Sequence, residues 1–240
     1  MPVAGRVVEV SALSQGQRDR MFEIISAYFD GATRRVFDRD LDEKHWAVVL
    51  SDANSGRLCG FSTLKLIEEV VAGTTIRAFF SGDTIIQRGY WASMALERAW
   101  IRFTFSHALR APEVRYFWFL VVNSYRSFRY LPVYTKAYYP NPDYEMPAFE
   151  RAVLDRLASQ RYGDEYDPVR GVVRMEGGWR LRPGVADIGE PELRDPRIAF
   201  FQQCNPAWRE GVELACLTEF SPANVNRFAR RILEGLSVPT

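Results

Sequence analysis

The sequence predicts a single α/β domain built on a mixed, mostly antiparallel sheet flanked by helices. Three observations support this. The 240 residues are 47% apolar and 25% charged, which is ordinary globular composition and enough chain for one large core. Hydrophobic runs of strand period and helix period alternate over the first 138 residues in the order β-α-α-β-β-β-α-β-α. One run, Arg115 to Val122, is almost continuously apolar, as expected of a strand buried on both faces.

The first strand is Arg6 to Val10. Ser14 then caps a helix to Phe29, whose apolar residues Met21, Ile24, Ile25 and Tyr28 recur at three-and-four spacing. A short, mostly charged helix covers Arg34 to Asp42. Trp46 to Leu50 is a β-prone run closed by the turn Asp52-Ala53-Asn54-Ser55-Gly56. Arg57–Val71 and Thr74–Ile86, parted at Ala72-Gly73, complete a three-strand antiparallel meander. Gln87-Arg88-Gly89-Tyr90 breaks the pattern, and a long helix follows from Trp91 to Leu109, ending before Pro112. After the apolar strand, a helix from Ser124 to about Leu131 is cut by Pro132 and resumes toward Tyr138.

From Tyr139 to Pro196 seven prolines punctuate one clear helix, Ala148 to Arg161, and a hairpin is expected around Gly177-Gly178. Arg197–Gln203 and Glu213–Phe220 read as two further strands, and Ser221-Pro222 opens a last helix striped by Phe228, Ile232 and Leu236. The expected organisation is one domain over 1–240: a core of 1–138 and 197–220, an insertion at 139–196, and a C-terminal helix at 221–236.

The charge balance excludes several functions. With 31 basic and 30 acidic residues the net charge is +1, which argues against holding nucleic acid by bulk charge. Only Lys44, Lys65 and Lys136 are lysines; the arginine excess reflects either planar or phosphate-bearing partners or genomic base composition. The longest apolar run, Tyr116 to Val122, is far below the roughly 20 residues of a membrane span. The start lacks a basic stretch leading into an apolar core, so no secretion signal is expected and a cytoplasmic location follows. Cys59, Cys204 and Cys216 have no disulfide or metal spacing, and His45 and His107 lack ligand-spaced partners, so no metal site is expected. No P-loop, G-x-S-x-G elbow or G-x-G-x-x-G is present.

The order of elements, with a long helix directly after the fourth strand, resembles the GNAT N-acyltransferase superfamily. Three groups of residues carry the likeness. Gln87-Arg88-Gly89-Tyr90-Trp91-Ala92 is similar to the family's Arg/Gln-x-x-Gly-x-Gly/Ala loop at Gln87 and Ala92, with Tyr90 in place of the middle glycine. Asn123 after strand five and Tyr130 seven residues on fall where the family commonly has an asparagine and a tyrosine. Asp83 is the only acid inside strand four. The group Arg34, Arg35, Phe37, Asp38, Asp40 and Asp42 is also faintly similar to that of acyl-homoserine-lactone synthases, which are GNAT relatives, although a solvated charged helix accounts for it better.

The resemblance implies a GNAT-like α/β fold in which strands four and five splay apart and admit the pantetheine arm of a thioester donor. It implies an N-acyltransferase moving an acyl group from acyl-CoA or an acyl carrier protein to an amine of a small molecule, with no permanently bound cofactor. The donor would be held by Ile85, Gln87, Arg88, Gly89, Tyr90, Trp91, Ala92 and Asn123. Amides at a helix start suit its pyrophosphate, but a tyrosine crowds the approach, and a carrier-protein donor, which has no pyrophosphate, tolerates the departure better. The same loop also reads as a plain strand-to-helix turn. The implied general acid is Tyr130 and the implied general base Asp83, whose pKa should rise among Phe79, Phe80, Ile85 and Ile86. Two other readings stand beside these. Tyr130 also fits an aromatic packing face with Tyr125, Tyr134, Tyr138 and Tyr139, and Asp83 a cap or an ion pair with an arginine such as Arg77 or Arg115. Gly82 marks a bulge that helps the splay. An apolar acyl pocket lined by Phe119, Tyr130, Tyr134 or Tyr138 is expected. The alternative function is a non-catalytic thioester-binding or interaction protein of the same fold, which the substitution at Tyr90 favours.

Overall fold

The computed structural model describes residues 2–234. Six main strands form its sheet: β1 (Val3–Glu9), β2 (Trp46–Asp52), β3 (Leu58–Val71), β4 (Thr74–Ile86), β5 (Arg115–Val122) and β6 (Glu213–Phe220). They lie side by side in that order, and the two-residue strands Val172–Val173 and Tyr166–Asp167 extend the edge beyond β6. Every neighbouring pair is antiparallel except β4 and β5, which are parallel. The result is the mixed, mostly antiparallel α/β sheet expected, with the meander in place.

Alternation along the strands sorts side chains to two faces. Trp118 and Leu120 of β5 face the helices α3 (Ala95–Arg110), α4 (Tyr125–Phe128), α5 (Tyr130–Tyr134), α8 (Pro196–Cys204, which follows the short α7, Glu190–Leu193) and α9 (Arg227–Leu233), in a core that includes Trp100, Phe105, Phe128, Phe201 and Phe220. Phe117 and Phe119 point the other way, against Val153, Leu154 and Leu157 of α6 (Ala148–Tyr162). On that second face α1 (Gln15–Tyr28) and α2 (Arg34–Asp42) cover the other half of the sheet, with Met21, Ile24, Phe37 and Leu41 on Val49 and Phe61. Ser14 closes a capping box with Gln17 at the start of α1, as its position suggests. No helix among the described residues is long and apolar enough to cross a membrane.

Four local expectations are corrected. Arg197–Gln203 is not a strand but the body of α8: Asp195 accepts the Arg197 amide, Pro196 opens the helix, and Ile198 and Phe201 are buried three apart. Its aromatic and β-branched content imitates a strand. Gly177-Gly178 forms no hairpin; Arg180–Leu181 instead pairs with Phe29–Asp30 at the end of α1. The long helix begins at Ala95, not Trp91, because tight turns between Gln87 and Ser93 and a 2.6 Å hydrogen bond from Trp91 Nε1 to the Ile86 carbonyl hold those residues outside it. The last helix starts at Arg227, six residues after Ser221, because Asn226 caps it by accepting the Phe228 and Ala229 amides; Leu236 of its expected stripe lies outside the described residues.

Candidate functional site

The site originates in a change of register. Strands β4 and β5 pair from Ile76 with Arg115 to Ser81 with Leu120, and there the pairing ends. On the other side of β4, Ser81 faces Leu64 and Thr84 faces Ser62, so Gly82 and Asp83 together oppose the single residue Thr63. That is a β-bulge, which bends a strand and re-aims its side chains. Beyond the last β4–β5 pair a cavity of 410 Å³ opens between α2, α6 and residues 175–179, and it reaches through the gap to Asn123, Ser127 and Tyr130.

Asp83 stands in the cavity wall, half-buried, with no hydrogen-bond or ion-pair partner among the described residues. The two arginines considered as partners are engaged elsewhere, Arg77 with Glu68 and Tyr116, and Arg115 with Glu150 and Glu219. Burial, reinforced by the charge of Asp40, pushes the Asp83 carboxyl up to about 7, while Lys44 and Arg161 pull it down. Lys44 is a buried cation beneath the bulge, bound at 2.5 Å to Asp40 Oδ2 and at 2.9 Å to the Asp40 carbonyl. Its pKa falls through burial, against the attraction of Asp40. Arg161 of α6 reaches over to Asp40 at 2.9 Å and Glu43 at 3.1 Å.

A second unpartnered carboxylate, Glu213, enters the cavity from the start of β6. Burial, followed by the charges of Asp83 and Asp40, raises it to about 8. Glu213 does not stand out in the sequence. Its signal is an acid opening a strand that continues Leu-Ala-Cys-Leu, on the side of Ala215 and Leu217. Lys44 and Arg161 are likewise indistinct among charged residues, and Asp40 stands out only as one acid of the charged segment Arg34–Asp42; their grouping appears only in the fold.

Tyr130 also lines the cavity, stacked on Tyr134 with ring centres 5.7 Å apart, and its hydroxyl has no partner among the described residues. Burial and the nearby Glu97 carboxylate raise its pKa, so it remains protonated at neutral pH. Its neighbours are packing residues: Tyr125, Tyr134 and Tyr138 are buried in the core under α4 and α5. Phe119 packs beneath α6. The expected apolar acyl pocket is therefore not formed from these residues; of the four only Tyr130 meets the cavity, whose walls mix charged with apolar side chains.

Of the eight residues expected to hold a donor, only Asn123 lines the cavity. The Ile85 side chain packs into the core under α1 and α2. Gln87 Oε1 accepts from Arg20 at 3.0 Å, the Arg88 amide donates to Tyr28, and Tyr90 Oη donates to Asp52. Turn hydrogen bonds occupy the Tyr90 and Trp91 amides, and Gly89 and Ala92 sit within the same turns. The later start of α3 moves the helix N-terminus away from this loop, and its first turn carries the buried Glu97 carboxyl, with Oε2 unpartnered. What the loop does present is Trp91, 39% exposed between two guanidiniums: Arg88 lies 5.6 Å and Arg126 4.5 Å from its ring. Arg126 thus bridges the far ends of the diverging strands. Neither arginine has a carboxylate partner among the described residues. Arg34, Arg35, Phe37, Asp38 and Asp42 play no part in the cavity; Arg34 pairs with Asp19 and Asp38, and Phe37 is core.

No family model matches the chain. No curated protein matches it either. Among solved structures it is similar to an Enterococcus faecalis protein named as a probable N-acyltransferase, at 14% identity over 56% of this chain and 33% of that one, with a TM-score of 0.41. The chain thus spans about a third of that protein. It is similar to glucosamine-6-phosphate N-acetyltransferase of Arabidopsis thaliana at 14% identity, over 62% of this chain and 99% of that one, TM-score 0.39. An acetyltransferase of Trypanosoma brucei is 15% identical over 60% of this chain and all of its own length, TM-score 0.40. At such scores the likenesses carry nothing about substrate or chemistry.

Proposed function

We propose that this chain is an acyltransferase that moves an acyl group from a thioester to an amine, with both substrates meeting in the gap between β4 and β5. The observation that carries the proposal is that one continuous cavity brings together Asp83 from the bulge of β4 and Tyr130 from the helix after β5, each without a protein partner among the described residues. Unpartnered polar groups in a shielded cavity are available to a substrate.

The chemistry follows from the two protonation states. An amine arrives as an ammonium ion, and Asp83, with its carboxyl raised to about 7, accepts that proton near neutral pH. The freed nitrogen attacks the thioester carbonyl carbon, giving a tetrahedral intermediate. Its collapse breaks the carbon–sulfur bond, and Tyr130 delivers its proton to the departing sulfur. The amide nitrogen keeps one of the ammonium ion's three protons: the first has gone to Asp83, and the second leaves to water as the intermediate collapses. Water returns a proton to Tyr130 and removes the one on Asp83, so both residues are restored.

In this reading the donor's pantetheine arm runs through the gap past Asn123, and its phosphate meets Arg88 and Arg126 on either side of Trp91. Guanidiniums there take the place of the backbone amides that the loop uses internally. Both coenzyme A and a carrier-protein phosphopantetheine carry such a phosphate. The second reading, a binding module without catalysis, is favoured by one observation, the hydrogen bonds that already occupy the amides of Gln87, Arg88, Tyr90, Trp91 and Ser93.

The test is release of free thiol from a series of acyl-CoAs, and from acylated carrier protein, in the presence of amines. Binding is measured in parallel by titration calorimetry. Thiol release that depends on the amine supports transfer; thioester binding without release supports the binding module; no binding at all defeats both.

A further inference from the structure

We infer that the acceptor is an amine carrying at least one further positive charge, a diamine or oligoamine, with Glu213 as the residue that selects it. The inference rests on the proposed transfer and adds the class of the acceptor. The chain as a whole is balanced, with 31 cationic and 30 anionic residues. Its cavity is not: six carboxylates line it against two guanidiniums, and one of these, Arg161, is already bound to Asp40 and Glu43. A wall of that composition attracts cations and rejects anionic acceptors.

The placement of the two unpartnered carboxylates suits a molecule charged at both ends. Asp83 lies on β4 and Glu213 on β6, with β5 between them, so their backbones are at least two strand spacings apart, about 10 Å, where β4 leaves β5. They are also nearly level, since Leu214 faces Val122 while Asp83 follows the last β4–β5 pair at Ser81 and Leu120. Between them the cavity wall carries the apolar Val121 of β5. One ammonium group at Asp83 and a second at Glu213, joined by methylenes over Val121, would satisfy both carboxylates. Lys44 and Arg161 act on Asp83, and Arg161 on Glu213, only from a distance, since these cations are bound to Asp40 and Glu43; neither carboxylate has a direct partner among the described residues. Asp83 serves the reacting nitrogen, and Glu213 holds the nitrogen that does not react.

The probes are 1,4-diaminobutane and butylamine, which share a chain length and differ by one charge. Titration calorimetry on the whole protein at pH 8 needs no donor. The diamine should bind at least about tenfold more tightly, and Glu213→Gln should reduce that preference to within about twofold. Glu213→Ala serves as a second variant if the glutamine form does not fold, and Glu213→Asp should retain the preference. Equal binding of the two amines by the wild type, or a preference unchanged in the glutamine and alanine variants, would overturn the inference. Thiol release separates this from the underlying reading. If butylamine and the diamine support equal release, transfer stands and the selection of a dication falls. If the diamine binds through Glu213 but no thioester releases thiol, the dication site stands and transfer falls.

Discussion

Gly82 lies directly over Lys44: a β-carbon at position 82 would sit 2.8 Å from Lys44 Cε and 2.5 Å from Thr63 Oγ1. Absence of a side chain at this position is therefore what lets a buried cation lie under the bulge that carries Asp83. Gly82→Ala should cost about 1–3 kcal/mol by overpacking, a fall of several degrees in Tm. Thr63 Oγ1 is buried without a hydrogen bond, so adding Thr63→Ala relieves the closer clash and should restore part of the loss. Thermal unfolding of the single and double variants checks this; an unaltered Tm in Gly82→Ala would show that the bulge accommodates a methyl group freely.

Tyr130→Phe separates chemistry from packing. The ring and its stacking on Tyr134 are kept, and the lost hydroxyl has no partner among the described residues, so stability should change by less than about 1 kcal/mol. Turnover should drop about 100-fold or more with donor affinity preserved, because the proton is needed only as sulfur departs. Wild-type turnover in this variant would return Tyr130 to a packing role.

The frame of the fold was legible in the sequence because long periodic runs encode it: the meander, the doubly buried β5 and the helix after β4 all follow from spacing. Misreadings came where composition and tertiary context conflict. Ile198, Phe200 and Phe201 are strand-prone residues placed in α8 by an Asp195-Pro196 start. Asp83 and Tyr130 could be singled out because each sits at a recognisable place on one element. Glu213 and Arg161 could not, and Asp40 was legible only as part of a charged helix, since their meaning depends on three separate elements meeting at the cavity. The loop residues Gln87 to Ala92 were expected at the donor on motif alone, and the hydrogen bonds to Arg20, Tyr28 and Asp52 that turn them away come from distant parts of the chain.

The raised carboxyls make stability depend on pH in a defined direction. Asp83 and Glu213 hold protons in the folded state up to about 7 and about 8, against 3.8 and 4.5 as ordinary values. Between those limits the folded state binds more protons than the unfolded one, so stability is greatest below pH 4 for these groups and falls as pH rises to about 8. Glu213→Gln removes its share of that loss. Its Tm should match the wild type near pH 4.5 and exceed it at pH 8.5; a difference independent of pH would show that Glu213 titrates normally.

Arg126→Gln and Arg88→Gln probe the donor's phosphate. Each should raise KM for acyl-CoA by about tenfold or more with little change in kcat, since a charge-assisted hydrogen bond contributes roughly 1.5–3 kcal/mol. Kinetics with acyl-pantetheine, which lacks the phosphate, should be far less affected. Equal losses with both donors would place the two arginines in the structure of the loop, not in phosphate binding.

The most direct test of acyl transfer through the splayed strands is a crystal structure with a non-hydrolysable thioester analogue. The account predicts the carbonyl group in the gap between Ser81–Thr84 and Leu120–Asn123, with the atom replacing sulfur within about 3.5 Å of Tyr130 Oη and the acceptor side open toward Asp83. An analogue bound outside the gap, or one seated in it with Tyr130 and Asp83 both beyond reach of the reacting atoms, would contradict it.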